Sequence, residues 1–300
     1  MTATLLTRPA PTAVAETVES RPARAHVPTR LWASATPTVE LTVVVPFYNP
    51  GPALRRTVER LVAVLRAERV RFEVIAVSDG STDGSEQSIE GIPGVRLVVS
   101  PENQGKGAAL HLGFAAALGS WVGFVDADGD IDPQHLVDYL RIARAGGHAG
   151  VYADKRHTAS ASAATGFRKL VSMVYSTLVS LLFVLGVRDT QTGCKVLRRD
   201  VLADLLPRMC ERRFAFDLEL FVAAKAAGIR DFVGAPVRLE ERTAGSTVTS
   251  RTILRTVRDT FVIFGRLHLG GHYAPVPAAE QALVRATGNA QWMTRFAEAA

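Results

Sequence analysis

Three carboxylates stand at alternate positions directly after an apolar stretch. Asp126, Asp128 and Asp130 follow the segment Trp121–Val125. Such a run is typical of a buried parallel strand, so the carboxylates are predicted to emerge together at its carboxyl end. Carboxylates suit Mg²⁺ or Mn²⁺, and Mg²⁺ usually joins one or two protein carboxylates to substrate phosphates. The pattern indicates a metal site for a nucleoside diphosphate, and an acidic surface turn is the alternative interpretation.

Two other polar segments have residue types that suit such a substrate. Residues 78–85 are rich in Ser, Asp and Gly, which favours a tight turn with a helix N-cap near Asp83. Within this segment, Asp79 is a candidate acceptor of hydrogen bonds from a base or ribose. Residues 103–107 resemble a shortened phosphate loop, but they lack the full glycine, lysine and hydroxyl spacing of a P-loop. Turn formation and helix initiation are the alternative roles.

The elements between these segments must hold them in place. The hydrophobic pattern predicts strands at 41–46, 72–77, 96–99 and 121–126, with helices at 53–66 and 108–118. This alternation is typical of a parallel sheet with right-handed crossovers, so the predicted fold class is α/β. Ligands of such sheets bind outside the carboxyl ends of the strands. The polar segments are therefore expected at one edge.

Composition limits the class of protein. A chain of 300 residues that is 47% hydrophobic can bury a large core, which we expect to be one domain with appendages. Cys194 and Cys210 are too few for a disulfide framework, which indicates a reducing compartment. The net charge of +6 fits any anionic partner, including nucleic acid, a membrane surface or a phosphorylated substrate. Residues 1–39 lack an apolar secretory segment and are predicted to be a disordered tail, with a transit peptide as the alternative.

Four segments, in their order and spacing, resemble the inverting family-two glycosyltransferases with a GT-A fold. They are VVVPFYN at 43–49, SDGSTD at 78–83, NQGKG at 103–107 and DAD at 126–128. The resemblance implies a Rossmann-like, mostly parallel sheet flanked by helices, and a nucleotide-sugar donor. It implies that the donor nucleotide is bound by Pro46, Tyr48, Asn49, Asp79, Lys106 and Asp126. It also implies that Mg²⁺ or Mn²⁺ is held by Asp126, Asp128 and Asp130.

Two segments of the second half narrow the resemblance to polyprenyl-phosphate sugar synthases, especially the dolichyl-phosphate β-glucosyltransferase branch. They are VRDTQTGCK at 187–195 and RFAFDLEL at 213–220, and the resemblance covers about residues 40–245. It implies transfer of a hexose or N-acetylhexosamine, with inversion, from a UDP-sugar to polyprenyl phosphate, for cell-envelope glycan synthesis or protein glycosylation. The implied catalytic residues, acting as orienting groups or as a base, are Asp189, Gln191 and Asp217.

The same resemblance assigns the acceptor phosphate to Arg156 and Arg168, since a guanidinium fork matches phosphate oxygens and stays charged. The chain departs from the family pattern at two places. Cys194 replaces the usual Phe, and ADKR at 153–156 replaces a Gly-Ser-Arg element, which leaves the conformation around Arg156 open. Glu219 has two possible roles, as a support for the catalytic residues or as a solvated helix residue.

Two helices are candidates for contact with lipid. Residues 170–187 carry no charge and are at the lower limit for a membrane span. Their serines at 172, 176 and 180 form a stripe expected to pack against protein. In the second helix, the arginines at 251, 255, 258 and 266 are expected opposite an apolar face of Leu254, Val257, Phe261 and Phe264. Basic amphipathic helices lie on anionic membranes, so we expect a monotopic or peripheral enzyme at the cytoplasmic face, with two core helices as the alternative.

We therefore divide the chain into five parts. Residues 1–39 are the tail, 40–150 the nucleotide-sugar-binding half and 151–245 the acceptor-binding half, which includes the apolar helix 170–187. Residues 246–270 form the basic amphipathic helix, and 271–300 are a C-terminal tail.

Two competing functions follow from other features. A GT-A transferase acting on a sugar or protein hydroxyl would need a firm catalytic base and would leave the apolar helix unexplained. A non-enzymatic nucleic-acid binder is suggested by the charge alone. The arginines cluster near apolar helices without interleaved aromatics for base stacking, so no nucleic-acid partner is expected.

Overall fold

A seven-stranded sheet forms the centre of the computed structural model, which describes residues 38–160, 166–240 and 250–273. Its strands are β1 (Leu41–Phe47), β2 (Phe72–Asp79), β3 (Val95–Ser100), β4 (Trp121–Val125), β5 (Gly150–Asp154), β6 (Cys194–Arg198) and β7 (Phe232–Pro236). The strand order is β3-β2-β1-β4-β6-β5-β7, and β6 runs antiparallel to both neighbours while the other pairs are parallel. The predicted α/β class and the four predicted strands are confirmed.

Helices cover both faces of the sheet and bury two apolar layers. They are α1 (Ala53–Ala67), α2 (Ser85–Ser88), α3 (Lys106–Ala115), α4 (Gln134–Gly146), α5 (Gly166–Phe183), α6 (Arg199–Leu205), α7 (Phe216–Ala226) and α8 (Ser250–His268). In α1, Leu54, Val58, Leu61 and Leu65 recur at helical spacing and are fully buried. One layer packs on α1 and α4, and the other on α3 and α5 to α8.

The antiparallel strand β6 decides which segments meet. Cys194 at the start of β6 is opposite Val125 at the end of β4. The residues before β6 therefore lie beside those after β4. Because β1, β2 and β5 run in the same direction as β4, their carboxyl ends reach this edge as well. We call it the carboxyl edge.

Helices α5 and α8 contact each other beside the sheet. Tyr175 of α5 and Thr260 of α8 form a hydrogen bond of 3.0 Å, and the rings of Phe183 and Phe264 are 6.0 Å apart. No helix in the part of the chain described here is long and apolar enough to cross a bilayer.

The expected faces of these two helices are wrong. Ser172 and Ser180 of α5 are exposed, and the hydroxyl of Ser180 donates to the carbonyl of Ser176 in its own helix. Val179 and Phe183 pack into the core instead, because the apolar side buries more surface. On α8, basic and apolar side chains share the exposed surface, namely Leu254, Arg255, Arg258 and Phe261.

Several expectations fall on residues outside the described ranges. These are most of the two predicted tails, residues 241–249, and the side chains of Arg168 and Arg251. The predictions for them stay predictions.

Candidate active site

A row of alternating positive and negative side chains lies at the carboxyl edge. Lys106, the first residue of α3, places its Nζ 2.6 Å from Oδ1 of Asp126 and 3.6 Å from Oδ2 of Asp217. Burial acts to lower the pKa of Lys106, but the charges of Asp126 and Asp217 outweigh it and hold the pKa above its ordinary value. The lysine is therefore charged and joins two of the predicted site residues.

Lys195 extends this row of charged side chains into the core. Its Nζ lies 2.5 Å from Oδ1 of Asp217 and donates to the carbonyl of Thr192 at 2.9 Å. The side chains of Lys195 and Asp217 are 1% and 3% exposed. Lys195 also lies over the ring of Phe124, 5.1 Å from its centroid. Asp217, predicted as a catalytic residue, thus bridges two lysines.

Gly193 gives Asp126 its room. A Cβ added at Gly193 would be 1.8 Å from Oδ2 of Asp126, and the carbonyl of Gly193 accepts a hydrogen bond from the Asp126 N–H at 3.2 Å. The antiparallel register of β4 and β6 produces this approach. Any larger residue at position 193 would displace the carboxylate.

Asp128 is the most accessible of the three candidate metal ligands. It is exposed, and its Oδ1 accepts the N–H of Asp130 at 3.1 Å. Partial desolvation, followed by the nearby charge of Asp126, raises its pKa to about 6. Within the described residues, no group of three or more His, Cys, Asp or Glu side chains is arranged to hold a metal by itself. A cation here would need ligands from a substrate.

Asp79 organises the 103–107 loop. Its buried carboxylate accepts the N–H of Gln104 on Oδ1 and of Gly105 on Oδ2, both at 2.8 Å. These bonds fix the loop that leads into α3 and thus place Lys106. The predicted contact of Asp79 with a nucleotide stays a prediction.

The residues after β1 tie into the turn after β2. Oδ1 of Asn49 accepts the N–H of Thr82 at 2.8 Å, and the Asn49 N–H donates to Ser81 Oγ at 3.1 Å. Pro46 is buried in β1, whereas Tyr48 is 52% exposed. The N-cap of α2 is Gly84, one residue after Asp83, and it has no side-chain cap hydrogen bond; Oδ1 of Asp83 accepts the N–H of Ser85 at 3.0 Å. Tyr48 is therefore an exposed aromatic side chain beside this turn.

Asp189 folds the segment before β6. Its carboxylate accepts hydrogen bonds from the N–H of Gln191 at 3.0 Å, the hydroxyl of Thr192 at 2.6 Å and the N–H of Lys155 at 3.2 Å. Burial acts to raise its pKa, but the Lys155 charge and these hydrogen bonds hold the pKa below its ordinary value. The neighbouring Nε2 of Gln191 is buried, and no described residue forms a hydrogen bond with it.

Arg156 follows β5 at the same edge. It is exposed, its guanidinium donates to the hydroxyl of Ser176 in α5, and its N–H donates to Oδ1 of Asp154 at 2.8 Å. Among the described residues it forms no ion pair, so its charge is available to an anion. Arg168 lies in α5, and its side chain is outside the description.

Sequence reasoning missed Lys195 and the burial of Glu219. Glu219 is 0% exposed, so the alternative of a solvated helix residue is wrong. The signal for Lys195 was its position in β6, where it shares the inward side with Leu197 of the core. A lysine at such a position requires a buried counter-ion.

Comparison with known proteins identifies the family. The profile of Glycosyl transferase family 2 matches residues 42–206. The chain belongs to this family. It is therefore a glycosyltransferase.

Curated family members resemble the chain at 30–32% identity. A dolichyl-phosphate beta-glucosyltransferase of Drosophila melanogaster is 30% identical over 78% of this chain and 77% of its own length. One from Homo sapiens is 31% identical over 65% of each chain. A third, from Trichomonas vaginalis, is 32% identical over 63% of this chain, which spans 60% of that relative's length.

Solved structures establish the GT-A fold. Glucosyl-3-phosphoglycerate synthase from Mycobacterium tuberculosis, in complex with Mn²⁺, UDP and phosphoglyceric acid, superposes with a TM-score of 0.59 at 20% identity. This match covers 76% of this chain and 79% of that one. Mannosyl-3-phosphoglycerate synthase from Rubrobacter xylanophilus gives 0.56 at 16% identity, over 77% and 76% of the two chains. At these low identities the similarity shows a shared fold and does not by itself indicate a shared substrate.

Proposed function

We propose that this family-two glycosyltransferase moves a hexose or N-acetylhexosamine from a UDP-sugar to polyprenyl phosphate, with inversion at the anomeric carbon. The observation that carries the proposal is the juxtaposition at the carboxyl edge of the Lys106–Asp126 pair, the exposed Asp128 and the exposed guanidinium of Arg156, which forms no ion pair with a described residue. The names of the relatives from Drosophila, human and Trichomonas support a lipid-phosphate acceptor.

The donor half of the site fits a divalent metal. Desolvation, followed by the nearby charge of Asp126, raises the pKa of Asp128, so the two carboxylates repel each other and a bound cation would relieve that repulsion. Mg²⁺ and Mn²⁺ take oxygen ligands, and Mg²⁺ commonly uses one or two carboxylates together with substrate phosphates. Asp126 and Asp128 would hold the ion, with Asp130 beside them. When bound, the metal neutralises charge on the departing diphosphate.

The residues around Asp126 prepare the same region for a diphosphate. Lys106 is a charged donor at the start of α3, and Asp79 holds the loop before it. Tyr48, exposed after β1, offers an aromatic face to the nucleoside. We assign Pro46 and Asn49 to shaping this end of the donor site.

The acceptor needs positioning more than deprotonation. A phosphate monoester has its second pKa near 6, by analogy with phosphorylated side chains, so the lipid phosphate is largely dianionic at neutral pH. One of its oxygens attacks the anomeric carbon as the bond from that carbon to the UDP oxygen breaks, and no proton has to move. Arg156, together with Arg168, would orient the phosphate, and Nε2 of Gln191, which has no hydrogen-bond partner among the described residues, would be a further donor. Asp189 and Asp217 would then act as orienting groups.

A membrane surface would present this lipid to the enzyme. Large apolar side chains are exposed on both α5 and α8: Met173, Val174, Leu181, Leu254 and Phe261. The exposed arginines of α8 suit anionic headgroups. We propose peripheral or monotopic attachment at the cytoplasmic face, which the two free cysteines of the chain also suit.

A donor and acceptor panel tests this function. The protein is incubated with Mg²⁺, polyprenyl phosphate and each of several radiolabelled nucleotide sugars, and the mixture is extracted with organic solvent. Label from one UDP-hexose or UDP-N-acetylhexosamine should enter the organic phase, and chelation should prevent it. Absence of organic-phase label from every donor would refute the proposal.

A further inference from the structure

A segment after α6 supports the donor loop at backbone level. The carbonyl of Arg212 accepts the N–H of Ala108 at 2.9 Å, and Nη1 of Arg212 donates to Oε1 of Gln104 at 2.9 Å. A Cβ added at Gly107 would be 2.5 Å from the carbonyl oxygen of Glu211. The segment 210–213 therefore presses directly on the loop that carries Lys106. A shift of the 210–213 segment would therefore displace the loop that carries Lys106.

The loop is held on its other side by Asp79. That carboxylate takes the N–H groups of Gln104 and Gly105. The donor loop is thus clamped between a carboxylate at the end of β2 and the 210–213 segment. Asp79 is held in the sheet, so the position of the 210–213 segment determines how tightly the donor loop is held between the two.

Glu219 anchors that second support. Its Oε2 accepts the N–H of Cys210 at 2.8 Å and of Glu211 at 2.7 Å. Its Oε1 accepts the hydroxyl of Tyr273 at 2.6 Å. One fully buried carboxylate on α7 therefore fixes the start of the segment and the chain after α8 together.

Arg266 brings α8 into the same cluster. Its Nη1 lies 2.6 Å from Oε1 of Glu211 and 3.4 Å from Oε1 of Glu219. Two buried carboxylates this close would repel one another without a cation between them. Arg266 was expected on the basic surface of α8, but it is directed inward, where it neutralises this pair.

We propose that Arg266 and Glu219 are positioning residues that hold the 210–213 segment against the donor loop, so that α8 controls the affinity for the nucleotide. The inference rests on the proposed function to the extent that Lys106 and its loop bind a UDP-sugar. Both residues would act through the 210–213 segment, not by contact with the nucleotide. Loss of Arg266 leaves Glu211 and Glu219 in repulsion, and the segment with its backbone contacts to Gly107 and Ala108 moves away.

Arg266→Met tests the proposal, because Met keeps part of the apolar stem and removes the charge. Arg141→Met is the matched control, since it removes an exposed arginine that pairs with Glu68 at 2.5 Å elsewhere. Hydrogen exchange of peptides covering 102–110 is measured in the full chain, and UDP affinity is measured by calorimetry with Mn²⁺. Arg266→Met should accelerate exchange at the Gln104 and Ala108 amides and weaken UDP binding about three- to tenfold. The control should change neither.

The outcomes separate this inference from the proposed function. Unchanged exchange and unchanged UDP affinity in folded Arg266→Met protein would overturn the inference. If the parent binds no UDP, the donor assignment fails, while exchange still reports on the clamp. Should Arg266→Met not fold, Glu211→Gln removes the same ion pair and must show the same two effects. Arg266→Lys should restore part of the UDP affinity, which a defect unrelated to charge would not allow.

Discussion

At the scale of single residues, the charge partner of Asp126 and the space around its carboxylate come from residues distant in sequence. Lys106 neutralises it from one side, and Gly193 leaves space for it on the other. Asp128, two residues later, is exposed and forms no ion pair with a described residue. The two aspartates therefore differ in role. Asp126 is held in place by Lys106, and Asp128 is the more exposed of the two proposed metal ligands.

Asp128→Asn should lower turnover by about a hundredfold or more, because a neutral amide is a poor ligand for a divalent cation on a diphosphate. The fold should remain, since Asn can still accept the N–H of Asp130. Mn²⁺ binding followed by electron paramagnetic resonance, together with initial rates, checks this. Asp138→Asn, an exposed carboxylate on α4, is the control. Full turnover of Asp128→Asn in chelator-treated buffer would refute a metal role.

Glu219 gives a prediction about pH. Burial is the main cause that raises its pKa from 4.5 to about 7. As pH rises from about 4.5 to 7, the unfolded chain releases this proton before the folded protein does, so the folded protein loses stability across that window. The unfolding free energy of Glu219→Gln should therefore rise relative to that of the parent as pH increases from 5 to 8, by about 3 kcal/mol at most. Urea unfolding at pH 5 and pH 8 measures it.

A difference in unfolding free energy between parent and Glu219→Gln that is the same at both pH values would contradict this account of Glu219. Glu90→Gln, at an exposed position, is the reference for effects that do not depend on burial.

At the scale of elements, the start of α3 is placed by two contacts from distant parts of the chain. Asp79 lies 25 residues before Gln104 in sequence, and Arg212 lies 108 residues after it. Gly107 in the first turn of α3 permits the second contact. The loop is therefore a product of tertiary packing, and its glycines serve close approach of two backbones.

Gly107→Ala and Gly265→Ala compare two helical glycines. An alanine at 265 meets no atom within 4 Å and should stabilise the protein by about 0.5 to 1 kcal/mol through helix propensity. An alanine at 107 would collide with the Glu211 carbonyl and should cost about 1 to 3 kcal/mol. Urea denaturation gives both values. Equal effects of the two substitutions would mean that the 210–213 segment does not press on α3.

Apolar runs and turn residues were sufficient to predict the first four strands, and the rule that ligands bind at the carboxyl ends predicted the edge. The ion pairs at that edge were beyond prediction. Lys195 meets Asp217 because β6 is antiparallel to β4, and no local pattern encodes that register. The exposed faces of α5 and α8 were also misjudged. These two helices pack against the core and against each other, so only the remaining side of each helix is exposed. Propensity describes an element, whereas contacts depend on its neighbours.

At the scale of the whole molecule, the active edge and the exposed apolar surface are linked through α5. Arg156 at the edge contacts Ser176 of α5, and the same helix exposes Met173, Val174 and Leu181. A bilayer that received this apolar surface would bring its phosphates close to Arg156. This arrangement would suit the proposed lipid acceptor in an enzyme whose described helices do not span a membrane.

Replacing Leu254 and Phe261 with Ser should move the protein from liposomes into solution in a flotation assay. Each side chain contributes roughly 1.5 to 3 kcal/mol when fully buried. Phe264 is left intact because it packs against Phe183. Serine at Val99 and Leu118, also exposed, is the control and should float as the parent does. Circular dichroism confirms folding, and a folded Leu254 and Phe261 variant that floats normally would contradict the membrane surface.

A competition between acceptors tests the central claim most directly. Purified protein receives its radiolabelled UDP-sugar and Mg²⁺ together with equal concentrations of polyprenyl phosphate and 3-phosphoglycerate, and the label is partitioned between organic and aqueous phases. We predict that the transferred label enters the organic phase, as a product that inverts the configuration of the donor's anomeric carbon. Transfer to 3-phosphoglycerate, with the organic phase unlabelled, would contradict the proposed acceptor.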